Sequence, residues 1–168
     1  MQKSARDMIL SLGLIGLVAG FVWLFIPHDD GEPDLPRVDY RVDLLTARRA
    51  AAYPVAAPVG LPDTWKATSV RFRGDEGDAW HLGYRAPDGE YVAVEQSTQK
   101  RTLFIEEKTQ EAERTDVTQE INGETWARYE GSHYDALVLE HPDGSTTVVT
   151  GTASFGQLSK MAKALRTE

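Results

Sequence analysis

The chain has 168 residues with 18 basic and 26 acidic side chains, a net charge of −8, and no cysteine. The missing thiols exclude disulfides, thiolate metal sites and lipid attachment through cysteine, so stability must come from packing. The acidic balance excludes nucleic acid as an expected partner, because phosphate backbones are repelled and no basic groove is on offer.

In chain order, the first predicted element is MILSLGLIGLVAGFVWLFIP, residues 8–27. No charge occurs from Met8 to Ile26, and a helix of that length spans roughly 28 Å, close to the ~30 Å hydrocarbon thickness of a bilayer. The far end, Phe21 to Ile26, is bulky where a signal peptidase needs small residues; Val18-Ala19-Gly20 is the one weak cleavage site and lies inside the run. A retained transmembrane signal-anchor is therefore expected. Lys3 and Arg6 precede it, while acidic residues follow it with no Lys or Arg before Arg37, which places the N-terminus in the cytoplasm. Gly16 and Gly20 form a GxxxG pair. Such pairs let helices pack closely, but glycine is common in membrane helices, so whether the anchor dimerises stays open. The expected division is a cytoplasmic tail over 1–7, the anchor over 8–27, an acidic proline-rich linker over 28–37 and an extracytoplasmic domain over 38–168.

VDYRV (38–42) alternates as a short strand, and LLTARRAAAY after Asp43 suits a helix that Pro54 must stop. WKATSVRFR (65–73) then puts Thr68, Val70 and Phe72 on one face. WHLGYR (80–85) and EYVAVEQ (90–96) flank Pro87-Asp88-Gly89 and read as a hairpin. RTLFIEEK suits a short helix burying Leu103, Phe104 or Ile105. DVTQEI and ETWARYE flank Asn122-Gly123, a strong hairpin signal. YDALVLE and STTVVT flank Pro142-Asp143-Gly144 and form another hairpin. Ser154-Phe155-Gly156-Gln157 reads as a capping box, after which Phe155, Leu158, Ala162 and Leu165 recur at helical spacing. The predicted fold class is α+β: an N-terminal transmembrane helix, then a mostly antiparallel sheet of about seven strands in hairpins, packed by a C-terminal helix.

Candidate chemistry is sparse. The histidines are His28, His81, His133 and His141, without metal-ligand spacing. His81 faces away from the Trp80/Leu82/Tyr84 set and reads as a histidine packed on the sheet. Ser132, His133 and Asp135 compose a triad only on paper, since sequence neighbours rarely face one another. GDEGD (74–78) lacks the ligand spacing of a calcium loop, and Glu106-Glu107 or Asp75/Glu76/Asp78 lack an apolar setting for acid–base work. Trp65, Trp80 and Trp126 fit an ordinary core, with a concave aromatic face for an apolar ligand as the alternative. No catalytic, cofactor-binding or metal residue is assigned, and no enzyme is expected.

Four strings, RDMILSLGLIGLVAGFVWLFIPHD, YPVAAPVGLP..W, WHLGYRAPDGEYVAVEQS and YEGSHYDALVLEHPDGSTTVVTGTASFGQLSKMAKAL, resemble the actinobacterial domain of unknown function 4245 family across nearly the whole chain. The resemblance implies a single-pass, envelope-facing protein and carries over no activity or catalytic residue. TTVVTGTASFGQLSKMAKAL is also similar to the endings of bacterial envelope domains associated with sigma-factor regulation or lipoprotein carriage. The function expected is a membrane-tethered, non-catalytic accessory or binding module of the cell envelope. Its partners are the bilayer, through residues 8–27, and an envelope protein or wall component; its oligomeric state is open. Carriage of an apolar ligand or lipid in a concave sheet face is the first alternative, and an envelope hydrolase the second.

Overall fold

The computed structural model describes residues 2–25 and 37–168, with side chains described over 8–22 and 37–168. The chain divides into two units, residues 1–34 and 35–168. In the first, α1 spans Gln2–Phe25. An unbroken run free of proline favours helix, and within it the Ser11 hydroxyl donates back to the Met8 carbonyl at 3.0 Å. Every described side chain of this helix is exposed. Among the described residues no helix is long and apolar enough to cross a membrane, so the span expected over 8–27 is not found there. The described side chains end at Val22, which is roughly 22 Å of helix against ~30 Å of hydrocarbon. The side chains of Trp23 and of the cationic tail, and the expected linker apart from Arg37, lie outside the described residues.

The second unit is α+β, as the alternation indicates. After α2 (Arg41–Ala50) the chain forms β1 (Ala57–Pro58), β2 (Lys66–Arg73), β3 (Ala79–Arg85), β4 (Tyr91–Ser97), α3 (Arg101–Thr109), β5 (Glu113–Ile121), β6 (Glu124–Glu130), β7 (Asp135–Glu140), β8 (Thr146–Gly151), α4 (Phe155–Ala164) and β9 (Leu165–Arg166). Seven strands make one antiparallel sheet in the order β2-β3-β4-β8-β7-β6-β5. Two meanders are thus joined where β4 meets β8, and α3 lies in the crossover between them. Asn122 and Gly123 adopt φ of 55° and 84°, as a two-residue hairpin turn of positive φ requires.

The structure corrects several local expectations. VDYRV is not a strand: Asp39 accepts the Arg41 N–H at 3.1 Å, which starts α2 inside the alternating run, while Val38 makes a single strand-like bond to the Ala67 carbonyl at 2.9 Å. Of the three apolar residues offered by α3, Phe104 and Ile105 are buried and Leu103 is exposed. The Ser154–Gln157 capping box does not close. The Ser154 side chain caps nothing; its carbonyl accepts from Gln157 and Leu158, and the Gln157 amide reaches Asp88 instead, at 3.3 Å. Leu165 leaves the helix and pairs with Pro58, so α4 ends in a two-stranded ribbon, β1 with β9.

Alternation sorts the sheet into two faces. One carries Trp80, Leu82, Tyr84, Val92, Val94, Leu137 and Val149, which pack with Leu158, Met161 and Ala162 of α4 into the main core. Burying such side chains contributes about 1.5–3 kcal/mol each. The opposite face is covered beside α3, where Phe104 and Ile105 pack on Ala136, Val138 and Val148. Gly151 closes the centre of the sheet, paired to Val92 on one side and Asp135 on the other. Its φ is 154°, and a Cβ there would sit 2.0 Å from the Tyr91 carbonyl oxygen. Gly151→Ala should therefore lower unfolding stability by about 3 kcal/mol or more, read as a fall in the urea midpoint of the 35–168 unit.

Candidate functional site

Two places in the second unit gather polar groups on the sheet, one on each face. On the α4 face a cleft of about 730 Å³ opens beside the β1–β9 ribbon, walled by Val59, Ile121, Trp126, Leu139 and Leu165. That size and apolar lining suit a small-molecule site. Its polar component is a chain of buried groups. The Ala56 N–H donates to Gln96 Oε1 at 2.7 Å, Gln96 Nε2 donates to Thr147 Oγ1 at 2.9 Å, and Thr147 Oγ1 lies 2.8 Å from His141 Nε2. The Thr147 hydroxyl has one proton and two lone pairs, so after accepting from the amide it can still either donate to or accept from His141 Nε2. Trp126 is 4% exposed, and its Nε1 has no hydrogen-bond partner among the described residues. An indole N–H left so costs about 1–3 kcal/mol.

On the opposite face three consecutive strands each contribute one side chain to a line. Ser69 Oγ on β2 lies 2.8 Å from His81 Nε2 on β3. His81 Nδ1 lies 2.6 Å from Glu95 Oε1 on β4. Sheet register places His81 directly between Arg71 and Glu95, and β2 shifts register between Ala67 and Ser69, a bulge of the kind that re-aims side chains. The His81 and Glu95 side chains are 15% and 9% exposed. Tyr91 joins the line from β4. Gly83 leaves the room for it, because a Cβ at that position would stand 2.4 Å from Ser69 Oγ and 3.1 Å from the Tyr91 hydroxyl. In a neutral His81, Nδ1–H donating to the Glu95 carboxylate leaves Nε2 to accept the Ser69 O–H, and the Tyr91 hydroxyl stands near Ser69 across Gly83. Burial, reinforced by Glu95 and Tyr134, pushes the Tyr91 hydroxyl from 10.0 up to about 12, against the opposing pull of Ser69 and Arg71.

The paper triad does not assemble. Ser132 and His133 are exposed, and Asp135 accepts the Gly131 N–H at 3.3 Å rather than an imidazole. The GDEGD stretch forms a 3-10 turn over Gly74–Glu76, with the Asp78 carboxylate accepting the Ala52 N–H at 3.0 Å. No group of three or more His, Asp or Glu among the described residues is fit to hold a metal ion. His28 lies outside the described residues, and Glu106 and Glu107 are exposed. Sequence reasoning placed His81 on the correct face but did not connect it with Ser69 or Glu95. It missed Gln96 and Thr147 entirely.

Fold and sites together define a sheet-and-helix domain with an apolar cleft on one face and a serine–histidine–carboxylate line on the other. The chain belongs to the family described as Protein of unknown function (DUF4245), whose pattern matches residues 1–165. No curated protein and no solved structure matches it.

The raised tyrosines have a measurable consequence. Burial also pushes Tyr53 and Tyr84 upward, while an unfolded tyrosine ionises near pH 10. Between pH 10 and about 12 the native state thus holds protons that the unfolded chain has lost, and stability falls as pH rises. Urea midpoints should drop as pH rises above 10, and Tyr91→Phe should shrink the drop.

Proposed function

We propose that the protein is a membrane-tethered binding module of the cell envelope, and that its cleft takes an apolar ligand. Residues 8–27 would anchor it, with residues 1–7 inside and 38–168 outside. The charge-free length of that stretch and the cation asymmetry of its flanks support this reading. So does the exposure of every described apolar side chain of α1, since a surface of that kind calls for cover. A tether raises the effective concentration of the domain near membrane or wall partners.

The cleft carries the ligand half of the proposal. Its largely apolar walls suit an acyl chain that ends in a hydrogen-bond acceptor, for which Asn122, Arg166 and the Trp126 indole in the lining carry donors, the last without a partner among the described residues. An acceptor bonded there removes the cost of a bare indole N–H, which polar-free hydrocarbon would not do. Gln96, Thr147 and His141 are already engaged with one another, so they shape the floor.

Protein purified gently from membranes should carry co-purifying fatty acid or lipid by mass spectrometry. Trp126→Phe keeps the ring but loses the donor and should weaken fatty-acid binding about tenfold, in line with one lost hydrogen bond. Unliganded protein that also binds no added fatty acid would defeat the ligand reading. Resistance of the 38–168 domain to protease on intact cells would defeat the orientation.

A further inference from the structure

We propose that Ser69 is a nucleophile, activated by His81 and oriented through Glu95, and that the face opposite the cleft cleaves carboxylic esters. The inference stands on geometry independent of the cleft. A hydroxyl 2.8 Å from one imidazole nitrogen and a carboxylate 2.6 Å from the other is the arrangement in which histidine removes a serine proton while the carboxylate steadies the cation formed. The three residues come from three separate strands, so no local turn chemistry explains their meeting.

Packing alone does not account for them. In register, Glu95 has Val148 as its neighbour on β8, and an apolar side chain at position 95 would continue that surface. A carboxylate 9% exposed gives up solvation that a buried pair rarely recovers relative to hydrophobic residues of the same volume. The bulge at Ala67/Ser69 and the bare Gly83 both serve to bring Ser69 and Tyr91 together over β3. The Tyr91 hydroxyl stands near Ser69 Oγ across Gly83, and burial keeps it protonated at neutral pH. A small cavity of about 170 Å³ adjoins the His81–Glu95 end of the line, with Arg71, Lys108, Glu76 and Glu107 also in its wall and Ser69 outside it. Arg71 follows Ser69 on the same face of β2 and stands opposite His81, which brings a cation to this face.

The reaction balances without a cofactor. Ser69 Oγ bonds to the ester carbonyl carbon as its proton passes to His81 Nε2, and negative charge moves to the carbonyl oxygen. The carbon–oxygen bond to the alcohol breaks, and His81 returns the proton to that leaving oxygen, which leaves an acyl-serine. Water then attacks the acyl carbon and gives its proton to His81. The bond to Oγ breaks, the acid departs, and Ser69 recovers a proton from His81. Glu95 positions His81 and touches no reacting atom.

The test uses the full-length protein in detergent, a fluorophosphonate probe and p-nitrophenyl butyrate. Peptide mass mapping should find the phosphonyl adduct on Ser69. Labelling should vanish in Ser69→Ala, fall about 100-fold or more in His81→Gln, and persist in Ser132→Ala and His133→Ala. Glu95→Gln should lower kcat for the ester with KM unchanged, a split that a loosened fold would not give. Wild-type protein that melts cooperatively yet takes no adduct on Ser69 overturns the proposal, as does an adduct whose rate ignores His81→Gln. Neither result bears on lipid in the cleft.

Discussion

The pairing of β4 with β8 is the constraint on which the rest of the domain depends. Each meander alone would expose an edge, and an open row of backbone donors and acceptors is a site for mispairing. Joined along six register pairs, from Val92↔Gly151 to Ser97↔Thr146, they become one sheet with a buried centre. At one end of that seam the Tyr91 backbone leaves no room for a side chain at Gly151. Non-local pairing of this kind closes a loop of about fifty residues, which costs chain entropy that the contacts must return. The reward is large: Val92, Val94, Val148 and Val149 are all fully buried at the seam.

From that seam follow two faces with opposite characters. The α4 side is a packed core with a cleft at one end, held by the ribbon of β1 and β9. Arg128 lies over the Phe155 ring at 3.5 Å, a cation–π contact that docks the start of α4 onto β6. On the other side α3 packs next to β7 and β8, and its last turn reaches towards β2, β3 and β4, where Glu107 and Lys108 share a small cavity with Arg71, His81 and Glu95.

Much of this was legible in the sequence, and the remainder was hidden for physical reasons. Period-two alternation and the turns at Gly89, Gly123 and Gly144 mark the hairpins, because positive φ confines each turn to a few residues. The tight turn at Pro87–Gly89 even fixes His81 opposite Glu95, since a hairpin's register follows from its turn. Alternation with Val70 and Phe72 puts Ser69 on the correct face, but its meeting with His81 was not legible, because the register of β2 on β3 carries a bulge at Ala67/Ser69 that no residue pattern specifies. The place of β8 beside β4 was hidden as well, because no local signal specifies a pairing across about fifty residues. Strand character at VDYRV failed to Asp39, whose carboxylate started a helix. The capping box failed because the amide of Gln157 found Asp88, a partner distant in sequence.

Glu95 and Gln96 are consecutive residues of β4, and strand geometry sends them to opposite sides. Glu95 ends the line through His81, while Gln96 anchors the floor of the cleft. Both chemistries therefore hang from a single peptide unit. Any displacement of β4 along its own axis is felt above and below the sheet at once, and neither surface can be re-engineered at this point without retuning its counterpart.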